Sequence, residues 1–409
     1  MKKILSGALA AVLAFAMFSC SGDDGSPSKG QDIGSAAKTK TEDSQFGEYV
    51  SNTYIATGNN HIVENADSVT YRAYFPVEEY GELEYCFYFS NTVDSTYDDG
   101  KKAYAGKTGG EYTIESARIA DGGTSIEDEI TGYQDVTFSG NAQKTVAAGE
   151  TYWSDPLSFN VPEGHFLVWE WTLTGTNIPA ISMSNLTKVG ADYGDDKGLV
   201  YCDQVPMPQL IGAKRNVKYR IAAIGDSITQ GCQTEAMAYE FWAAQISQKL
   251  GKDYSFWNCG LGWSRTSDAA LGGDWLERTA TADVVLVAFG TNDIVSGEYG
   301  GDGGNTAAEI DAYLRPILDK LKGKNCSVIV FNAPPEDYRE DMEAVRTEYN
   351  ELLKATCDEY GVFYFDFAAL LSDEAEPAKA LYGGHPNGVA GGIVSDEFIE
   401  VYSNFLAVE

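Results

Sequence analysis

Histidine is almost missing from this chain, with 3 in 409 residues. Any chemistry that needs an imidazole is therefore confined to His61, His165 or His385. Basic residues are also scarce: 29 Lys and Arg stand against 61 Asp and Glu, a formal net charge of -32 at pH 7. No basic patch stands out, which argues against nucleic acid as a partner and against polyanionic substrates such as pectate. No cysteine or histidine spacing matches a metal site, and no glycine pattern matches a phosphate-binding loop, so neither metal nor organic cofactor is expected. Only one long apolar run occurs, at the N-terminus, and no second spanning segment is found.

That run, Ile4 to Phe18, follows Lys2 and Lys3 and ends in small residues before Cys20. It is too short for a comfortable span and has the flanks of a secretory signal, giving residues 1–19 as a signal peptide. MFSC followed by Ser-Gly resembles a bacterial lipoprotein cleavage box, which implies a lipid-modified Cys20 as the mature N-terminus and membrane contact through that anchor alone. Residues 20–45, rich in Ser, Gly, Asp and Lys, then read as a flexible tether. The other six cysteines permit disulfides in an exported chain. Cys326 and Cys357 read as buried thiols, while Cys232 and Cys259, each following a predicted strand at one sheet edge, form the most plausible bridge.

Residues 46–205 have the grammar of β structure. SVTYRAYF, LEYCFYFS, EYTIESARIA, QDVTFSG and HFLVWEWTL are short aromatic or β-branched runs punctuated by Gly, Asp, Asn and Pro, as in a sandwich or jelly roll. Trp169 and Trp171 lie two apart and share a face, as core or as a sugar-stacking platform. The pattern changes over 206–409. Strands at VKYRIAAIGDS, DYSFWNCG, DVVLVAFGTND, CSVIVFNAPP and GVFYFDF alternate with helical stretches over 236–250, about 268–280, 306–323, 341–360 and after 388. Strict alternation predicts an α/β fold: a parallel sheet with helices on both faces.

IAAIGDSITQGC, residues 221–232, drives an apolar strand into Gly-Asp-Ser. Ser227 then falls at the carboxyl edge of the sheet, where open α/β folds bind ligands. A serine hydroxyl needs a base to become a nucleophile, and His385, in YGGHPNG, is the only histidine of this half. Donors for an oxyanion are available at the ends of consecutive strands: the Ser227 N–H, an N–H in NCGLGW, and the Asn292 amide in FGTND. Asp226 and Asp293 sit on tight turns and read as local backbone acceptors.

GDSITQG, NCGLG, GTND and HPNG, in this order, resemble the four signature blocks of the SGNH (GDSL) hydrolases, serine esterases on a flavodoxin-like sheet. The resemblance covers about 215–409 and implies Ser227 as nucleophile, His385 as base and Asn292 as oxyanion donor. The second block of the family reads N-x-G-x-x-G. Counting from Asn258 puts Trp263 at its last glycine, with Gly262 as the candidate donor through a shifted loop. The family also carries Asp three residues before the histidine, where this chain has Tyr382. A Ser-His dyad supported by a peptide carbonyl, or Asp366 as a substitute acid, are the two ways to complete the site.

Phrases such as SNT and SDPLSFNVPEG make the first half resemble the N-terminal β-sandwich of bacterial secreted members. The resemblance implies an acetylesterase acting on plant polysaccharide such as xylan, located at the cell envelope or outside it. Lipid or aryl esters are the alternative substrates. A non-catalytic glycan-binding surface lipoprotein is the competing class, kept open by Tyr382.

Overall fold

The computed structural model describes residues 34–36, 44–95, 105–295, 304–371, 381–382 and 385–408. The expected leader and Cys20 lie outside them. Two antiparallel sheets build the first half. One orders Val50–Ser51, Leu210–Ala213, Gly81–Ser90 and Thr151–Trp153, with Leu157–Val161 also paired to Gly81–Ser90. The other orders Val189–Asp192, His61–Phe75, Leu167–Ser182, Tyr112–Asp121 and Thr131–Asp135, with Gln204–Val205 and Lys144–Val146 added at its margins.

Aromatic side chains of the two sheets interdigitate between them. Phe87 meets Trp169 at 4.8 Å between ring centroids, and Phe89 meets Trp171 at 5.4 Å. Both tryptophans are buried core rather than a sugar platform. Glu170, between them, turns to the opposite face and is clasped by Arg72 and Arg118, each donating through Nε at 2.6 Å. The expected strand at 134–140 ends at Asp135. Beyond it the Asp155 carboxylate accepts from Thr137 Oγ1, Ser139 N and Gly140 N, folding that stretch into a turn with Ser139 at φ 53°.

The second half is a parallel sheet in the spatial order Ser255–Gly260, Arg220–Gly225, Val284–Ala288, Ser327–Phe331, Phe363–Phe365. In sequence terms this is 2-1-3-4-5, the flavodoxin-like order. Alternation along the strands divides the core. Ile221, Ala223 and Leu286 pack with helices Trp242–Leu250 and Gly388–Leu406. Ala222, Ile224 and Val287 join helices Ala307–Gly323 and Glu340–Tyr360 in a cluster continuous with the sandwich aromatics. The two halves thus share one apolar core, and burial of that seam favours a fixed arrangement.

Several sequence expectations shift. Leu210–Ala213 pairs with Gly81–Ser90, so strand pairing changes character between Ala213 and Arg220 instead of at 205/206. Arg215 pins this connector from both sides. Its buried guanidinium donates to Ser51 O at 2.6 Å and to Tyr254 O at 2.9 Å, and pairs with Glu78. The tether is not loose throughout: Ala36 is buried and donates to Phe405 O at 3.0 Å. The helix expected from 236 starts at Trp242, because Met237 and Tyr239 take φ of 60° and 52°. Gly272 and Gly273 split the stretch 268–280 into helices Thr266–Ala270 and Asp274–Thr279. The Cys232–Cys259 bridge is absent, both thiols being free. Cys232 instead donates to Ser184 Oγ at 3.1 Å, and burial pushes its thiol up to about 12.

Candidate active site

The first strand of the parallel sheet, Arg220–Gly225, is buried along five of its six residues and ends against the third. A Cβ at Gly225 would lie 2.4 Å from Ala288 O, so only glycine lets the chain leave the sheet here. Asp226 then caps the short helix Ser227–Gln230, its Oδ1 accepting from Ile228 N at 2.9 Å. That cap fixes Ser227 as the first helical residue. Gly231 closes the turn at φ 106°, and a side chain there would strike the Phe241 ring at 2.4 Å.

His385 arrives from the other end of the chain. It pairs with Tyr382 in a two-residue antiparallel ladder, and Asn387 immediately caps the last helix by accepting from Ala390 N at 3.0 Å. This short connection from ladder to helix holds the imidazole over the serine. Ser227 Oγ and His385 Nε2 are 2.8 Å apart. The other two histidines lie elsewhere: His61 Nε2 is 3.0 Å from Gln204 Nε2, and His165 Nδ1 is 2.7 Å from Asp121 Oδ1.

Asp366, the candidate substitute acid, is engaged at a helix start through one of its oxygens. Its Oδ1 accepts from Asn332 Nδ2 at 2.8 Å and from Ala369 N at 3.1 Å, which makes it the cap of helix Phe367–Leu370. Gly262 is reassigned. Its N–H donates to Gln230 Oε1 at 2.7 Å and is spent on that bond, so it is a part of the loop's scaffold and not an oxyanion donor. Trp263 takes φ 64°, the left-handed region that favours glycine, at the position where the second block has one.

Asn292 lies in the short helix Thr291–Val295, and its Nδ2 donates to Ser264 O at 3.0 Å. An amide nitrogen carries two hydrogens, so this bond orients the group. Ser227, His385, Asn292 and Gly262 all border one cavity of about 680 Å3, a size suited to a small-molecule ligand. Trp263, Glu336, Asp337 and Tyr338 add to its wall. So do Ser184 and Asn185, which reach the cavity from the sandwich half on consecutive left-handed residues, φ 51° and 61°.

The electrostatics of this edge are acidic. Burial pushes Asp226 up to about 7, and burial pushes Asp293 up to about 6. Asp293 accepts from Thr266 N and Thr266 Oγ1, both at 2.9 Å, and so acts on the local backbone. Glu336 is held well above the usual carboxylate range, first by burial and then by the nearby Asp226 and Asp337. Its Oε1 is enclosed with no hydrogen-bond partner.

Sequence reasoning missed Gln230, Glu336 and the sandwich contribution. Gln230 carried a signal, standing three residues after Ser227 and hence one helical turn on. Nothing marked Ser184 or Asn185.

Residues 223–390 match the model of the GDSL-like Lipase/Acylhydrolase family. No curated protein matches the chain. Among solved structures it is similar to a member of the lipolytic protein G-D-S-L family from Veillonella parvula, at 21% identity and TM-score 0.39, covering 45% of this chain and 98% of that one. It is also similar to an acetylxylan esterase from Geobacillus stearothermophilus, at 19% identity and TM-score 0.38, covering 46% and 95%. An aryl esterase from M. smegmatis is similar at 20% identity and TM-score 0.38, covering 46% and 99%.

Proposed function

We propose that this chain, whose residues 223–390 carry the GDSL-type acylhydrolase pattern, is a serine esterase that removes acetyl groups from neutral carbohydrate. The observation that carries the reading is the 2.8 Å approach of Ser227 Oγ to His385 Nε2 at the edge of the cavity. His385 Nε2 takes the hydroxyl proton as Oγ bonds to the ester carbonyl carbon, and the carbonyl electron pair moves onto oxygen. The resulting oxyanion is met by Ser227 N–H and Asn292 Nδ2–H. Collapse of the intermediate expels the alcohol, which leaves with the proton from His385. Water, deprotonated by the same imidazole, then releases acetate and restores Ser227.

The alcohol side is assigned to a sugar on the chemistry of the wall. Ser184, Asn185, Gln233 and Thr234 offer hydroxyls and amides that suit a polyol, while Asp337 disfavours an anionic one. The same reading includes export behind residues 1–19 and anchoring through a lipidated Cys20, which mass spectrometry of the mature N-terminus would detect as a diacylglyceryl cysteine.

The deciding experiment measures p-nitrophenyl acetate, p-nitrophenyl octanoate and acetylated xylan hydrolysis by the chain lacking residues 1–33, beside Ser227→Ala. Acetate release that vanishes in the variant, with octanoate turnover much slower, is the expected result. A folded wild type as inert as the variant on every ester would overturn it.

A further inference from the structure

The cavity is built by both halves of the chain, and one buried hydrogen-bond circuit joins them at the loop after the second parallel strand. Asn60, at the start of the long sandwich strand, donates from Nδ2 to Gly262 O at 3.2 Å. Gly262 N donates to Gln230 Oε1 at 2.7 Å. Gln230 Nε2 donates to Ser182 O at 2.6 Å, and Ser182 N donates to Asn60 Oδ1 at 3.0 Å. Two side-chain amides thus alternate with two peptides in a closed ring. Asn60 and Gln230 are fully enclosed and Ser182 is nearly so.

The chemistry of the ring explains its residues. Each side chain must donate at one end and accept at the other, which among side chains of this shape only a carboxamide does. A carboxylate would lose the donated bond, and an amide turned by 180° would face like with like at both ends. Because the ring is buried, each lost bond leaves an unsatisfied group away from water.

What the ring holds is the oxyanion side of the site. Gly262 is gripped at its N–H by the helix that carries Ser227 and at its C=O by the sandwich. Two residues later, Ser264 O receives Asn292 Nδ2, and Ser264 Oγ donates to Gly225 O at 2.9 Å. Loop placement therefore sets the orientation of Asn292. On the other side of the ring, the chain continues from Ser182 into the cavity-lining Ser184 and Asn185, and Cys232 bridges Ser184 Oγ and Gln230 Oε1 at 3.1 and 3.4 Å.

We infer that Asn60 and Gln230 are positioning residues for the proposed esterase, so that the sandwich is an integral part of the catalytic centre. The inference rests on the Ser227–His385 reading. It is tested on the chain lacking residues 1–33 with Asn60→Ala, Gln230→Met and the double variant, beside Tyr88→Phe. The last breaks a different bond across the same seam, from Tyr88 OH to Asp274 Oδ1 at 2.6 Å. The expected result is a kcat on p-nitrophenyl acetate lowered roughly 10- to 100-fold in each ring variant, since misplacement by an ångström costs on that order. KM should change by less than about threefold, and the double variant should be little worse than the poorer single one, as for groups acting as a unit.

Tyr88→Phe should retain wild-type kcat. Ring variants that fold, shown by near-UV circular dichroism, and keep wild-type kcat overturn the inference while leaving the esterase reading intact. An inert wild type overturns both. Failure of both single variants to fold would make the ring a folding determinant and overturn the positioning role.

Discussion

The two halves of the molecule reach the same cavity by different means. In the parallel-sheet half, topology gathers much of the chemistry: strands that run the same way present their carboxyl ends on one edge, which places Ser227 and Asn292, and the short ladder before the last helix brings His385 to Ser227 across 158 residues of sequence. In the sandwich half, no such rule brings Asn60 to Gly262, 202 residues away. Individual hydrogen bonds across a shared core do that. A site assembled by topology survives much variation in its supports, whereas one assembled by single contacts depends on each of them.

The largest expected contrast between the halves follows from the nucleophile. Ser227→Ala should lower kcat/KM on p-nitrophenyl acetate by about 10⁴-fold or more, the scale of losing a triad member. No single substitution in the sandwich should approach that, because sandwich residues touch no reacting atom. A sandwich variant that matched it with the fold intact would break the comparison.

The seam itself should matter to stability more than to turnover. Arg278, in helix Asp274–Thr279, is fully buried and donates to Asp94 of the sandwich half at 2.8 and 2.5 Å and to Asp274 at 2.7 Å. Arg278→Met leaves Asp94 buried without its cation, which should cost about 3–5 kcal/mol. The check is a urea midpoint, with kcat of the remaining folded protein close to wild type. A large fall in kcat at unchanged stability would show instead that this end of the seam also positions the site.

How much was legible from sequence follows the same division. The alternation of apolar strands with helices from 217 onward gave the sheet and its carboxyl edge, and the blocks GDSITQG and GTND sit at ends of its strands, while HPNG sits on a separate two-residue ladder before the last helix. The loop at Gly262 was misread, because the competing acceptor for its N–H, Gln230 Oε1, becomes visible only once the helix after Ser227 is folded. Asp366 has a second use that the sequence did not signal: the end of a strand is also where a helix begins, and its Oδ1 caps that helix. In the sandwich half the strands were readable from composition. The residues that support the site were not, because Asn60, Ser182 and Ser184 carry no local pattern that predicts a partner far along the chain.

A smaller effect separates the halves by pH. Asp226, in the parallel-sheet half, is raised from 3.8 to about 7 by burial. Its folded form therefore holds a proton that the unfolded chain releases near pH 4. Stability should fall as pH rises from about 4 to 7, by up to about 1.4 kcal/mol per pH unit for this group, and the contribution is lost once pH passes its folded pKa. Asp293, raised to about 6, adds a fall of the same sign. Asp226→Asn keeps an acceptor for Ile228 N and has no charge to expose, so the difference in urea midpoint between pH 4.5 and 7.5 should shrink. An unchanged difference would mean that the slope arises outside this edge.

The smallest expected effect concerns Glu336, which acts by field and not by position. It borders the cavity with Oε1 enclosed and without a partner, and its carboxyl is held well above the usual range by burial and by Asp226 and Asp337. Below that raised pKa it is neutral and harmless to the oxyanion. As pH rises through it, a carboxylate forms beside the site where negative charge develops in the transition state, so acetyl turnover should decline above that pKa. A penalty of about 1 kcal/mol, roughly fivefold in rate, is reasonable for like charges at a few ångströms in a partly wet cavity. Glu336→Gln should match wild type below that raised pKa and lose the decline in kcat/KM above it. If the variant keeps the same decline, the field reading of Glu336 is wrong, and the side chain would have to be treated as a positional support like those of the sandwich.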